Sequence, residues 1–388
     1  MKKILIISSG FPANGGQAST AYNLNVLLSE NNYEVKIIFL KNSEEYGDID
    51  PNSTTNSQKI NYAIALKFPY LRKILKFLIS LRVFKILGIT SFLNKIYKLL
   101  QNILVKRKIY SFLKKNNFKP DLAITNTPIL YENFYSLFER TLIIIGSSIF
   151  FWKIGKRHID YQTFKKNAEF LNYKSYKNKI LGLNKSHLIY NSQLTHDLFH
   201  INGVRPKSKK VQYFNIPPFI ASPHNSFENR KYDIGIIISN FYRQVKGVKK
   251  VDKLFSFFAS QNKIAIGKNS KILKNHSNSH IFNLMGQKQL SEYLSDIKLV
   301  IIPSLFDPSP SILSEAILNG CNVLCSKNIG WNDYINKDCV INDYNNDDEW
   351  VNKIKHLLKK KIENEKFLKL VSNSKEKIHE TINDFIAQ

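Results

Sequence analysis

The chain has 388 residues, 43% of them hydrophobic and 22% charged. That is too long for one ordinary domain and too apolar for a disordered chain, so two or three domains are expected, none needing a metal or disulfide to hold it. Lys and Arg number 57 against 30 Asp and Glu, a formal charge of +27 that calls for a polyanionic partner and leaves the fold open.

Along the chain, short β-rich apolar runs alternate with longer helical patterns, the sign of parallel sheets with helical crossovers. The start, Met1 to Gly10, resembles a signal peptide for three residues, but its apolar run Ile4–Ile7 is shorter than the roughly seven to fifteen residues of a signal core. It reads as a first buried strand, Ile4–Ser8. Further strands are expected at Glu34–Leu40, Leu122–Thr125, Leu142–Ile145, His187–Tyr190 and Val211–Phe214. A Pro-, Ser-, Asn- and His-rich stretch, Asn215 to Arg230, then reads as a linker. The pattern restarts with Tyr232–Ser239, Lys263–Ile266, His280–Leu284, Leu299–Pro303, Asn322–Cys325 and Cys339–Ile341, and Asp347 to Gln388 reads as two Lys/Glu-rich helices. Nothing approaches the ~18 uninterrupted apolar residues of a membrane span. The cysteines Cys321, Cys325 and Cys339 are odd in number and sit in apolar runs, which fits a reducing, cytoplasmic setting.

One stretch departs from the average. From Pro51 to Pro120 there is no Asp or Glu, while Lys and Arg recur. Leu71 to Leu87 places cations on one helical face and large apolar groups on the other, and Ile96 to Lys115 repeats the pattern. Such helices lie on anionic membrane surfaces, each cation contributing ~1 kcal/mol. A solvated basic face on a packed helix gives the same pattern. A nucleic-acid groove is the third reading, and no nucleic-acid module supports it, so no nucleic-acid partner is expected.

Two loops carry chemistry. Gly10 to Thr20, between the first strand and a helical run, holds Gly15 and Gly16. Glycines there let backbone N–H groups meet an anion at a helix start, although a tight strand-to-helix turn uses glycine too. The second loop follows Leu299–Pro303 and runs from Ser304 to Gly320, with Asp307 and Glu315 eight residues apart. Asp307 falls in the loop at a strand's carboxyl end, where open sheets bind ligands, and Glu315 falls in the helix beyond. There Glu315 can accept both hydroxyls of a ribose. Ser309 and Ser311 offer hydroxyls, and the early helix amides around Ile312 can meet a phosphate.

Asp307-x7-Glu315, preceded by Pro303-Ser304 and followed by Ala316 and Gly320, resembles the E-x7-E signature of family 4, the retaining glycosyltransferases of the GT-B fold. Gly15-Gly16 resembles the family's N-terminal glycine loop. Tyr190-Asn191-Ser192, Gly203-Val204 and Phe214-Asn215 resemble the end of its first domain and hinge, Lys246-Gly247 its phosphate clamp, and Gly286 to Pro303 the run that leads to the carboxylates. The chain departs from the family at four places. Asp307 replaces the usual Glu, Pro308-Ser309-Pro310 stands where Phe-Gly is usual, and Phe241 occupies the clamp arginine's position, with Arg243 nearby. Gly146-Ser147-Ser148 lacks the family's histidine.

The resemblance implies an α/β, GT-B chain of two Rossmann-like domains facing across a cleft. These would be residues 1–218 facing acceptor and membrane, residues 219–370 binding the nucleotide sugar, and a last helix, 371–388, packing back on the first domain. It implies transfer of a sugar from a nucleotide-diphosphate sugar to a lipid-linked glycan in bacterial surface-polysaccharide synthesis, without a metal or other cofactor. Lys246, with Arg243, would neutralise the departing diphosphate, Asp307 would hold a sugar hydroxyl, and Glu315 the ribose. Gly15 and Gly16 would close the site, with Ser309, Ser311 and Ile312 beside the donor. The enzyme would work on the inner face of the plasma membrane, held there through 51–120. A sugar-nucleotide epimerase of the same fold, or a non-enzymatic basic binder, are the rival readings.

Other signals carry less. Asp48-Ile49-Asp50 is a DxD without a preceding buried strand. His196 and His200 have zinc-helix spacing, but Asp197 stands where HExxH has its glutamate. Phe150-Phe151-Trp152 reads as core or as an acceptor contact.

Overall fold

The computed structural model describes residues 1–9, 16–41, 63–65, 103–127, 130–146, 177–217, 219–221, 226–273 and 276–387. Two parallel sheets are built in succession. The first holds β1 (Lys3–Ser9), β2 (Glu34–Lys41), β3 (Ala63–Ala65), β4 (Leu122–Thr125), β5 (Thr141–Ile145), β6 (His187–Tyr190) and β7 (Ser208–Val211), in the order β3-β2-β1-β4-β5-β6-β7. The second holds β8 (Tyr232–Asn240), β9 (Lys263–Lys268), β10 (Ser279–Phe282), β11 (Ile297–Ile302), β12 (Asn322–Ser326) and β13 (Val340–Ile341), ordered β10-β9-β8-β11-β12-β13. Each sheet therefore winds outward from a central pair, β1/β4 in one and β8/β11 in the other. The winding of the strand order reverses between those parallel strands, and there a doubly wound sheet opens its crevice.

The central strands are apolar on both faces, as parallel strands covered by helices must be. In β1, Ile4 and Ile6 join one core, while Leu5 and Ile7 join another on the opposite face. This is the two-residue period of the pleat. The core that takes Ile4 and Ile6 is continuous with that of the second sheet, through Tyr213, Phe214 and Ile216. The connecting chain thus carries apolar side chains from one half into the other.

The helices are α1 (Gly16–Ser29), α2 (Lys177–Asn184), α3 (Gln193–Ile201), α4 (Val248–Phe257), α5 (Gln287–Ser295), α6 (Ser311–Leu318), α7 (Asp347–Leu357) and α8 (Glu365–Ala387), with a further helical run over 103–115. No helix among the described residues is long and apolar enough to cross a membrane.

Three differences from the sequence reading have physical causes. The strand expected at Val211–Phe214 is instead Ser208–Val211, with register His187 opposite Ser208. Its Lys209 and Lys210 are exposed, as suits an outer strand that must not pair with another chain. The aromatic residues Tyr213 and Phe214 are buried at the junction between the halves. The short outer strand β3 was not anticipated, because three residues carry no readable period. The last helix begins at Glu365 rather than near 371, since no Pro or Gly marks its start.

Helix α8 touches both halves. Phe367 packs edge-on to Tyr213 at 5.6 Å, and Lys366 donates to the Asp333 carbonyl. Fourteen residues or more further on, Thr381 donates to Gln212, Tyr33 donates to Asn383, and Phe385 meets the ring of His187.

The run 103–115 also bears on the basic stretch. Val105, Ile109, Phe112 and Leu113 are buried in the first half's core, whereas Arg107, Lys114 and Lys115 are exposed. Its apolar stripe packs on the protein's own interior, while Ile103 and Tyr110 stay exposed beside the charges. Leu71 to Leu87 lies outside the described residues.

Candidate active site

The site is assembled at the crevice between β8 and β11. After β8 the chain turns on Asn240, whose side-chain oxygen accepts from the Tyr242 amide at 2.9 Å and from Asn269 at 3.0 Å. One 3-10 turn, Gln244–Lys246, follows and ends at Gly247 with φ of +72°. Only glycine fits there, because a Cβ would stand 1.7 Å from the Pro303 carbonyl oxygen. That approach seats the Lys246 turn against the end of β11, and the Leu305 amide donates to the Val245 carbonyl at 2.9 Å.

The loop after β11 is equally fixed. The Asp307 amide donates to Asn328, its carbonyl accepts from Gly330, and Asp307 forms a parallel bridge with Ile329. Two backbones locked in this way bring Lys246 and Asp307 into an ion pair, with side chains 20% and 12% exposed. Each charge is largely out of water and is neutralised mainly by the other.

Glu315 has a different setting. Helix α6 starts behind Pro310, and no side chain caps it. The linker residue Asn215 braces that start. It donates to the carbonyl and hydroxyl of Ser309 at 2.8 and 2.9 Å, accepts from Thr20 of α1, and its own carbonyl accepts from Ser314 at 2.6 Å. One position on, Glu315 lines a small cavity, with room for about one water molecule, together with Pro217, Phe219, Gln287, Leu290 and Ser291. Burial pushes its carboxyl from 4.5 up to about 7. No cation among the described residues neutralises it, and Lys246 pairs with Asp307 instead. The two carboxylates of the motif therefore divide: one is in the ion pair, the other faces a cavity in uncompensated surroundings.

The remaining sequence-derived residues fall as follows. Gly16 is the first residue of α1, and Gly15 lies outside the described residues. Arg243 is exposed and forms no ion pair among the described residues, while Phe241, at the position of the family's clamp arginine, is buried in the core. Ser309 is engaged by Asn215, Ser311 is partly exposed at the start of α6, and Ile312 is buried one residue further. His196 sits beside Asp197 and accepts from Lys209 at its other ring nitrogen, which leaves that nitrogen no place for zinc. All three cysteines are free and buried. Asp48-Ile49-Asp50 and Phe150-Phe151-Trp152 lie outside the described residues, as do Ser147 and Ser148.

Sequence reasoning missed the residues that join the halves. Trp331 adopts φ of +72°, donates its indole N–H to the Asn191 carbonyl at 2.7 Å and stands edge-on to Tyr213 at 5.3 Å. Gln287 opens α5 and donates to Asn23 of α1 at 3.4 Å. Neither sits in a motif, and both matter only through partners distant in sequence.

Residues 226–377 match the family model described as glycosyl transferases group 1. The chain carries the domain of a glycosyltransferase. Its whole architecture is that of GT-B glycosyltransferases, two Rossmann-like domains in succession. Sucrose-phosphate synthase from Thermosynechococcus elongatus superimposes with a TM-score of 0.60 at 13% identity, over 98% of this chain and 94% of that one. WaaG, a glycosyltransferase involved in lipopolysaccharide biosynthesis, gives 0.57 at 13%, over 96% and 94%. An alpha-glucosyltransferase solved with UDP and a 13-mer DNA containing an HMU base gives 0.58 at 12%, over 100% and 99%. No curated protein matches the chain in sequence.

Proposed function

We propose that this glycosyltransferase is a retaining enzyme of family 4 that moves a sugar from a nucleotide-diphosphate sugar to a lipid-linked glycan, in surface-polysaccharide synthesis at the cytoplasmic face of a membrane. The observation that carries the donor reading is the Lys246–Asp307 pair at the crevice between β8 and β11. A diphosphate entering there exchanges for Asp307 as the partner of Lys246. The ammonium then faces the group on which negative charge grows as the glycosidic bond breaks, and Asp307 is released to accept from a sugar hydroxyl. Electrostatic stabilisation of a leaving group by a fixed donor is commonly the largest catalytic contribution, and losing one such contact costs about 10²–10³ in rate.

The uncapped start of α6 supports the same placement, since amides at a helix start favour an anion. Arg243, on the exposed rim of the same loop, is free to swing toward the diphosphate. Gly16, the first residue of α1, together with Gly15 before it in sequence, closes the site from the first domain. Retention follows from attack by the acceptor hydroxyl on the face that the diphosphate leaves, and no protein nucleophile is assigned.

The membrane part rests on the charge of +27 and on the acid-free stretch from 51 to 120, of which Arg107, Lys114 and Lys115 are seen at the surface.

The test is release of nucleoside diphosphate from nucleotide sugars with and without lipid-linked acceptors, followed by the anomeric configuration of the product. Retention with acceptor-dependent turnover is expected, and Lys246→Ala should lose it. Conversion of the donor alone would establish an epimerase. Transfer to duplex DNA would replace the lipid-linked acceptor, and failure to sediment with anionic vesicles at low salt would remove the membrane.

A further inference from the structure

The residues that join the halves lead back to the ion pair. The segment from Asn328 to Trp331 follows β12, and its backbone is laced to Asp307. The Asp307 amide donates to the Asn328 carbonyl at 3.2 Å, and the Gly330 amide returns to the Asp307 carbonyl at 2.9 Å, around the bridge to Ile329. Gly330 leaves no slack. A Cβ there would stand 1.7 Å from the Pro308 carbonyl oxygen and 2.9 Å from the Ser192 Cβ. Pro308 follows Asp307, whereas Ser192 caps α3 in the first domain. The segment is therefore wedged between the loop that carries Asp307 and the other half of the molecule.

Trp331 makes the grip across that boundary. Its indole N–H donates to the Asn191 carbonyl at 2.7 Å. Asn191 is buried and tied three times to its own domain. Its amide donates to the Ile145 carbonyl at 3.2 Å, its side-chain nitrogen donates to the Gly146 carbonyl at 3.1 Å, and its side-chain oxygen accepts from Thr195 at 2.7 Å. Ile145 ends β5, so the grip falls at the carboxyl edge of the first sheet. On its own side, Trp331 accepts from the Tyr334 amide at 3.0 Å and meets the Tyr334 ring at 5.6 Å. Its φ of +72° is a left-handed state that a bulky residue keeps only where its surroundings over-determine it. Glycine would take that backbone freely but has no indole to reach across.

A continuous line of contacts thus runs through Gly146, Asn191, Trp331, Gly330, Asp307 and Lys246. Spatial order alone transmits nothing. What stiffens this line is that every link from Trp331 to Asp307 is main chain, so no side-chain rotation can absorb a shift there.

We infer that Trp331 is a positioning residue, which registers the first domain against the Asp307 loop so that the separation of the halves sets how Asp307 meets Lys246. Its part in turnover rests on the donor reading above; the coupling itself needs no nucleotide. Coupling is reciprocal, so a change at Asp307 is felt at the indole.

The experiment uses the full chain labelled with 15N-tryptophan, whose indole N–H resonances are compared between wild type and Asp307→Asn. Any two of Trp152→Phe, Trp331→Phe and Trp350→Phe assign the three signals, so one variant that fails to fold does not block the test. Trp350 is the control, since it is buried in the second domain and donates to the Tyr344 carbonyl at 3.1 Å. Expected is a Trp331 resonance that moves by more than its linewidth in Asp307→Asn while that of Trp350 stays in place. A Trp331 resonance that does not move overturns the inference. The unfolding constants of Trp331→Phe, Asp307→Asn and the double variant should depart from simple multiplication by about threefold or more, as for residues in one network, and plain multiplication also overturns it. With a nucleotide sugar that the wild type turns over, Trp331→Phe should lose about tenfold or more in kcat with KM little changed, the mark of misplacement. A loss confined to KM overturns the positioning role. A wild type that neither turns over a nucleotide sugar nor binds UDP, GDP, ADP or CDP overturns the donor reading instead, and the Asp307→Asn spectrum still decides the coupling.

Discussion

Glu315→Gln separates what the site costs from what it does. The free protein carries a carboxyl that burial raises from 4.5 to about 7, with no cation beside it. The neighbouring Tyr213 phenol is held protonated mainly by burial, with the Glu315 charge adding to that effect. Because the folded state binds the Glu315 proton more tightly than the unfolded chain, this group's contribution to stability is fully present below about pH 4.5. It is lost as the pH rises and is gone above about pH 7. At about 1.4 kcal/mol per pH unit the loss amounts to about 3 kcal/mol, an upper figure for a side chain that keeps some contact with water. Glutamine has nearly the same shape and no charge to desolvate. Urea unfolding of both proteins from pH 4.5 to 8 should therefore give equal stability at the acid end and a gap opening in favour of the variant, up to about 3 kcal/mol near pH 8. The same variant should bind nucleoside diphosphates more weakly, since a neutral amide is a poorer acceptor for a diol. Parallel pH profiles for the two proteins would refute the reasoning, because Glu315 would then already be compensated in the folded state.

Three further outcomes are expected. Asp307→Asn leaves Lys246 without its partner, so UDP should bind at least as tightly by calorimetry while turnover falls by about 10² or more. Gly247→Ala meets both a left-handed backbone and the Pro303 carbonyl. It should cost at least about 1–2 kcal/mol in thermal unfolding and abolish transfer by displacing Lys246. The thiols of Cys321 and Cys339 are pushed up to about 12 and about 11, chiefly by burial, so a disulfide reagent at pH 8 should find no reactive thiol until denaturant is added and three thereafter.

Much of the architecture could be read ahead of the structure because parallel strands buried on both faces leave dense runs such as Ile4–Ile7 and Leu299–Ile302 that hardly admit another element. Where the rule fails, the cause is local. Val211 to Phe214 has the composition of a strand, yet its aromatics are buried at a junction that no local pattern announces, and the actual strand is the Lys-bearing segment before it. The site follows the same division. Asp307 and Glu315 were visible through their spacing around a loop and a helix start. Lys246 was visible through the glycine after it, whose need for φ of +72° the structure explains. The spacing could not reveal that the two carboxylates have different surroundings. That depends on Asn215, Gln287 and Asn23, ordinary polar residues that acquire meaning only when chain segments far apart are folded together. The extent of 51–120 is legible as charge, but its pattern leaves open whether the apolar stripe meets lipid or a packed core, and over 103–115 the structure buries Val105, Ile109, Phe112 and Leu113 in the interior.

Helix α8 begins against the second sheet and ends on the first, and the linker crosses in the other direction. The polypeptide is thus threaded through the waist of the molecule twice, as a door is hung on two pins rather than one. Translation and splaying are resisted, and the freedom left is a swing about the line joining the crossings, the motion that widens or narrows a crevice without shearing its walls. Clipping the chain after Val371 would remove one pin, and the halves would still fold but would lose their common axis.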